Sequence, residues 1–196
     1  MAHHHIHHTH GFIISSRASG EANKMLTVYT RELGLVHAMA QGIRLSKSKL
    51  RFTLQDFSYA KVDLVKGRDI WRVTSATNIS SFPLARANRD SVVFMSRMSA
   101  LVDRLCRGEE GNETVFDSLI QAFTFLDDEN FSAESRSALE LHTVLSVVHA
   151  LGYVGESDDI VYYLGGDFDH DKTNKLLKEK KSIISHINRA LRESGL

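Results

Sequence analysis

A chain of 196 residues, 42% hydrophobic and 24% charged, has the length for one large domain or two small ones and the composition of a soluble globular protein. A single cysteine, Cys106, excludes an internal disulfide and a multi-cysteine zinc site; with no apolar run of membrane-spanning length and no signal-peptide pattern, the expected compartment is the cytoplasm. The formal net charge is zero, yet residues 1–80 hold 11 Lys and Arg against 5 Asp and Glu, residues 81–171 hold 6 against 17, and residues 172–196 hold 7 against 2, which suggests a basic partner-binding front and an acidic body.

In chain order, the first eighty residues predict strands. "GFIISSR" (11–17), "KMLTVYT" (24–30), "LVHAMAQ" (35–41), "SYAKVDLV" (58–65) and "DIWRVTSATN" (69–78) are short and rich in β-branched and aromatic residues. In the fourth, Ala60, Val62 and Leu64 alternate with Tyr59, Lys61, Asp63 and Val65. Glycines 20, 34 and 42 and the "KGRD" of 66–69 supply turns. Five such strands fit a small barrel or sandwich better than a parallel sheet, and no helix is expected inside 24–65.

The period changes at the only proline, Pro83. Phe94, Met98, Leu101, Val102 and Leu105 predict a helix over 87–107, stopped by Gly108. Val115, Phe116, Leu119, Ile120, Phe123 and Leu126 predict a second over 114–126. Ser132 is the expected N-cap of a third, reaching Leu151 with Gly152 as its stop. A short apolar run follows at 159–166, and a last helix from about Lys172 is expected to bury Leu177, Ile184, Ile187 and Leu191. The predicted fold class is α+β, with a β-barrel domain over 1–80 and an α-helical domain over 81–196.

Between the third and fourth predicted strands, "QGIRLSKSKLRF" (41–52) places Arg44, Lys47, Lys49 and Arg51 within eight residues and has no acid. A loop there has no core to fill, so its cations are free to meet phosphates. Four phosphate contacts on a single strand give a log–log salt slope of about −3. Trp71, Tyr29, Tyr59 and Phe52 lie near these cations, and rings interleaved with cations suit single-stranded nucleic acid. In so small a barrel at most one or two of the four are expected to face a ligand. The bland alternative is an ordinary solvated face.

Evidence of catalysis is scarce. The chain has no phosphate-binding P-loop, no dinucleotide glycine fingerprint, no G-x-S-x-G and no H-E-x-x-H, so no catalytic residue, cofactor or metal is assigned. Cys106 reads as a small buried residue. His3, His4, His5, His7, His8 and His10 are expected to form a flexible tail or a tag remnant, although the interruptions at Ile6 and Thr9 argue against a designed tag and fit the run-in to the first strand; a histidine-dependent metalloenzyme is a minor reading. "DFDHDK" (167–172) opens like a calcium loop, but Lys172 and Lys178 stand where glycine and glutamate are required. His142 and His149 are expected to be satisfied core or surface histidines.

Over residues 8–76 the chain resembles the N-terminal OB-fold domain of the RecO family of bacterial recombination mediators. The resemblance rests on Gly11 before an apolar strand, Glu21 after the Ser-Arg loop, "TRELG" (30–34), Gly42 and Arg44, "KSKLR" (47–51), "LQDF" (54–57) and "GRDIWRVTSA" (67–76), in that order and spacing. It implies a non-enzymatic repair protein of the RecF pathway, cytoplasmic and associated with the nucleoid. Such a protein binds single- and double-stranded DNA, anneals strands, pairs with RecR, recognises the C-terminal tail of SSB and helps RecA replace SSB. With that implication Arg44, Lys47, Lys49 and Arg51 become the first candidate DNA contacts and Arg17, Lys24, Arg68 and Arg72 weaker ones. Lys175, Lys178 and Lys181 on the last helix become candidate contacts for the SSB tail. Many members carry a four-cysteine zinc module; with Cys106 alone this chain has none, and residues 154–171 occupy roughly its place. The rival reading is a protein-interaction module without direct DNA binding.

Overall fold

A computed structural model describes residues 5–129, 131–165, 168 and 170–195. Five strands appear: β1 (Ile6–Ser19), β2 (Asn23–Thr30), β3 (Gly34–Ala40), β4 (Tyr59–Lys66) and β5 (Trp71–Ser80). They pair in the order β1-β2-β3-β5-β4, and β4 pairs back onto β1, closing a barrel. All ladders are antiparallel except β3–β5, the order of a five-stranded OB-fold. Alternation fills the interior: Ala60, Val62 and Leu64 of β4 are buried, with Leu26 and Val28 of β2 and Val36 and Ala38 of β3.

The first strand is long because two neighbours share it. Gly11 is in register with Thr30 of β2 and with Ala60 of β4. A Cβ on Gly11 would stand 2.8 Å from Val28 Cγ1 and 3.1 Å from Val62 Cγ2, so only glycine lets the three strands meet there. A bulge between Ile13 and Ser15 breaks the alternation, which explains why Phe12, Ile13 and Ile14 are all buried.

The expectation of a histidine tail is corrected from Ile6 onward. His7, His8 and His10 belong to β1. His8 Nδ1 lies 2.6 Å from Asp63 Oδ1, His10 Nδ1 lies 2.8 Å from Tyr59 Oη, and the His7 ring meets Trp71 edge-on at 5.1 Å. Pairing with β4 recruits this segment, as the interruptions at Ile6 and Thr9 allow. His3 and His4 lie outside the described residues.

The 24–65 stretch does contain a helix, contrary to expectation. The β3–β4 connector forms one turn, α1 (Leu50–Thr53), with Leu54 N donating to Leu50 O at 2.9 Å. Leu54 is buried and Leu50 packs on the barrel core, so the i, i+4 pair anchors the turn. The connector then re-enters the barrel through Phe57, in the left-handed region at φ +65°, whose amide donates to Ile13 O at 2.7 Å.

The helices are α2 (Pro83–Ala87), α3 (Arg89–Leu105), α4 (Glu113–Leu126), α5 (Ala133–Ala150), α6 (Asp158–Leu164) and α7 (His170–Glu193). Pro83 opens α2, and the Asp127 carboxylate accepts from the amides of Leu84 (2.7 Å) and Ala85 (3.0 Å). Ser132 caps α5 by accepting from the Ser135 amide at 3.0 Å, and Gly152, at φ +77°, follows its end.

The chain forms two compact units: Met1–Phe82 with Ser99–Phe116, and Pro83–Met98 with Asp117–Leu196. The expected division into 1–80 and 81–196 therefore differs at 81–82 and over 99–116, both of which go with the barrel. The reason is packing: Phe116 stacks on Tyr29 (6.3 Å), and Glu110 and Gly111 lie against the β2–β3 turn so closely that no Cβ fits at Gly34 or Gly111. In the other unit α5 packs along α7. There the expected stripe is rotated: Leu176, Ile183 and Ile187 are buried, whereas Ile184 is 38% exposed.

Candidate nucleic-acid interface

The basic connector is an ordered surface. Its start is tied to the β1–β2 turn: Arg44 N donates to Ala22 O (2.9 Å), Gly42 N to Asn23 Oδ1 (2.9 Å), and Arg44 Nη1 to Gly20 O (2.7 Å). Ile43 is buried beneath it, and Ser48 N donates to Leu45 O at 3.0 Å. Lys47, Lys49 and Arg51 are exposed, and none has an ion-pair partner among the described residues. Arg44 is exposed too, but its guanidinium is partly committed to the Gly20 carbonyl.

The weaker candidates fall in two places. Arg17 and Arg72 are the exposed ends of one cross-strand row, Arg17–Met25–Met39–Arg72, running over β1, β2, β3 and β5. Neighbours Leu26 and Ala38 point inward, so this row faces outward, with two half-buried thioethers between two guanidinium groups. Lys24 Nζ donates to Ser16 Oγ at 3.1 Å. Arg68 is exposed in the β4–β5 turn, which Gly67 N closes onto Ile70 O at 3.0 Å. α1, which carries Arg51, lies beside β5, which carries Arg72.

Of the four rings near the cations, three are engaged. Tyr29 is buried with its hydroxyl on Asn112 O at 3.4 Å, and burial raises its pKa. Trp71 is buried, and its Nε1 donates to Glu109 Oε1 at 2.9 Å. Tyr59 is half-buried against His10 and Phe116. Phe52 alone is free of the core, at 70% exposure. The sequence carried the signal for this: Phe52 falls midway between Leu50 and Leu54, on the opposite face of one helical turn.

Acids from 99–116 remove other barrel cations from consideration. Lys66 Nζ contacts Glu109 Oε2 at 2.6 Å and lies 5.2 Å from the Trp71 ring centre; bonds from Lys66 and then Trp71 hold the Glu109 carboxyl below its ordinary value. Arg31 reaches Glu113 at 3.9 Å and covers the Phe116 ring.

Among the described residues, no group of three or more His, Cys, Asp or Glu is arranged to hold a metal. A four-cysteine zinc module does not fit a chain whose one cysteine is buried, and burial pushes the Cys106 thiol up. Asp167 and Asp169 of the calcium-like run lie outside the described residues. His142 Nε2 is buried with no hydrogen-bond partner among the described residues, and burial, then the Lys172 charge, brings its pKa down to about 4 against a backbone bond at Tyr163. Among the described residues no helix is long and apolar enough to cross a membrane.

On the second unit, the three candidate lysines do not converge. Lys175 pairs with Asp159 at 3.7 Å and sits 4.1 Å over the Tyr162 ring. Lys178 and Lys181 are exposed on α7. A groove of about 270 Å³ is lined instead by Leu141, Val144, Ile184 and Ile187, with Arg97 and Lys180 at its rim. Arg97 is paired with Glu140 at 3.1 Å, and Lys180 donates to Ser137 Oγ at 2.8 Å. Sequence reasoning missed Arg97 because it lies on α3, far from α7 in the chain.

Residues 1–82 match the family described as Recombination protein O N terminal. The chain is 31% identical over 114 residues to the DNA repair protein RecO of Pelotomaculum thermopropionicum, a stretch covering 58% of this chain and 44% of the relative. It is 30% identical over 122 residues to DNA repair protein RecO of Halalkalibacterium halodurans, covering 62% and 48%, and 34% identical over 98 residues to that of Desulfitobacterium hafniense, covering 50% and 36%. The matched stretch thus spans less than half the length of each of these relatives. Over residues 1–82 the chain is thus similar to the N-terminal domain of the RecO family, the same family its motifs resemble.

Proposed function

We propose that this chain is a DNA-repair protein whose barrel binds single-stranded DNA and promotes the annealing of complementary strands without covalent chemistry. The observation that carries this reading is the ordered connector presenting Lys47, Lys49 and Arg51 with no acidic partner among the described residues. Annealing requires the repulsion between two phosphate backbones to be screened, and an exposed cationic connector supplies that screening. The names of the relatives, DNA repair protein RecO, favour the same role. Within that role, the family resemblance implies double-stranded DNA as a second ligand, RecR and SSB as partners and RecA as the beneficiary. The apolar groove rimmed by Arg97 and Lys180 is the reading's dock for the acidic, apolar-ended tail of SSB.

Annealing of complementary oligonucleotides, measured with and without SSB, tests the proposal. Acceleration that fades as salt rises is expected, and no acceleration at low salt overturns it. A protein-interaction module would leave single-stranded DNA unshifted in an electrophoretic mobility assay.

A further inference from the structure

The connector combines two features that a charge count does not join. Its cations neighbour an exposed ring in the chain. Ile43, Leu50 and Leu54 pin the segment to the barrel, while Phe52, 70% exposed, and Leu45, 56% exposed, point away from it. The segment is held by its own bonds, Leu54 N to Leu50 O and Ser48 N to Leu45 O, and by Arg44 N to Ala22 O, so the ring is displayed on a fixed support. Exposing a phenylalanine forgoes the stabilisation that its burial would give. Arg51 is the adjacent residue, Lys47 and Lys49 lie within five positions, and residues 41–55 contain no acid.

We propose, resting on the DNA-binding reading above, that Phe52 is a base-stacking residue and that it makes this face selective for unpaired strands over duplex. An aromatic ring flanked by cations accepts the π-face of a base while the cations hold the neighbouring phosphates. Bases in a duplex already have both faces stacked, so the ring gains its partner only from an unpaired strand. The occupant is nucleic acid and not an apolar protein surface because three exposed cations without acidic partners among the described residues lie within five positions of the phenyl group in the chain.

The test uses the full chain and four probes: oligothymidylate, a strand of equal length with abasic positions, duplex, and no nucleic acid. Phe52→Ala is expected to weaken oligothymidylate binding about tenfold, within the range for loss of one stacked base. The salt slope is expected to be unchanged, since no phosphate contact is lost. Phe52→Tyr should bind as the wild type does, and abasic strand and duplex should not distinguish Phe52→Ala from it. In Phe52→Trp, the new indole should be quenched by oligothymidylate and by neither abasic strand nor duplex. Equal binding of oligothymidylate by Phe52→Ala and wild type overturns the proposal while the DNA-binding reading stands. So does a loss that is equal on abasic strand and duplex. A shift in sedimentation of Phe52→Ala with unchanged DNA affinity assigns the ring to self-association and also overturns it. Failure of the wild type to bind any strand at low salt removes both readings. Urea unfolding of each variant checks that the fold is kept.

Discussion

Arg44 Nη1 donates to the carbonyl oxygen of Gly20 at 2.7 Å, across 24 positions of sequence. This bond makes Arg44 a clamp between the connector and the β1–β2 turn and sets it apart from its three basic neighbours. Arg44→Ala should therefore reduce stability by about 1 kcal/mol as well as DNA affinity. Lys47→Glu with Lys49→Glu should change stability by no more than about 0.5 kcal/mol. The double variant should also flatten the log–log salt slope by about 1.4, two contacts at about 0.7 each. Urea unfolding and binding across a salt series read the two effects separately; an unaltered slope would remove Lys47 and Lys49 from the interface.

Trp71 depends on Glu109 for its one polar bond, Nε1 to Oε1 at 2.9 Å. Removing the carboxylate by Glu109→Ala leaves a buried indole N–H without its acceptor, at a cost of about 1–3 kcal/mol. Glu109→Gln keeps an acceptor and should recover most of it. Trp71 is the only tryptophan, so its fluorescence during urea unfolding follows the barrel directly. Equal midpoints for the alanine and glutamine variants would show that the bond contributes nothing.

Gly11 is the point where β1 is shared, and the space for a side chain there is filled by two valines. Gly11→Ala should destabilise the barrel by about 1–3 kcal/mol through overpacking. Combining it with Val28→Ala, which removes the atom 2.8 Å from the new Cβ, should cost less than the sum of the two single changes. Strict additivity in thermal unfolding would refute the steric account.

His142 predicts a pH dependence with a defined sign. Its folded pKa, about 4, lies below the unfolded value of about 6.5, so the unfolded chain takes up the proton first as pH falls. The contribution is complete above pH 6.5 and is lost between 6.5 and about 4, with a slope approaching 1.4 kcal/mol per pH unit. His142→Gln removes the titrating group. Stability curves of wild type and variant should diverge in that interval and run parallel above it; parallel curves throughout would exclude burial of His142 as the cause.

The groove on the second unit predicts which cations matter for an acidic peptide with an apolar end. Arg97→Ala with Lys180→Ala should weaken such a peptide more than Lys178→Ala with Lys181→Ala, because only the first pair lines the groove. Calorimetry with both variants decides this, and the reverse order would move the dock to the outer face of α7.

The sequence by itself determined the elements whose pattern is local. Alternation in β4, helical spacing in α3 and α4, and the Ser132 cap need only neighbours a few residues away, and each stands in the structure within a few residues of the expected bounds. The order of motifs from Gly11 to Ala76 was likewise enough to read the family. Tertiary structure decided what depends on distant partners. Pairing with β4 turned a histidine-rich segment into the first half of β1, and packing against Tyr29 drew 99–116 onto the barrel unit. Long-range contacts also decide which of the rings and cations near one another in the sequence are engaged within the fold. Glu109 engages Trp71 and Lys66, Gly20 takes one nitrogen of the Arg44 guanidinium, and the core takes Tyr29, whereas Lys47, Lys49, Arg51 and Phe52 stay exposed. Periodicity reports which face of an element is apolar, whereas the burial of a polar or aromatic group depends on whether the closed barrel brings it a partner.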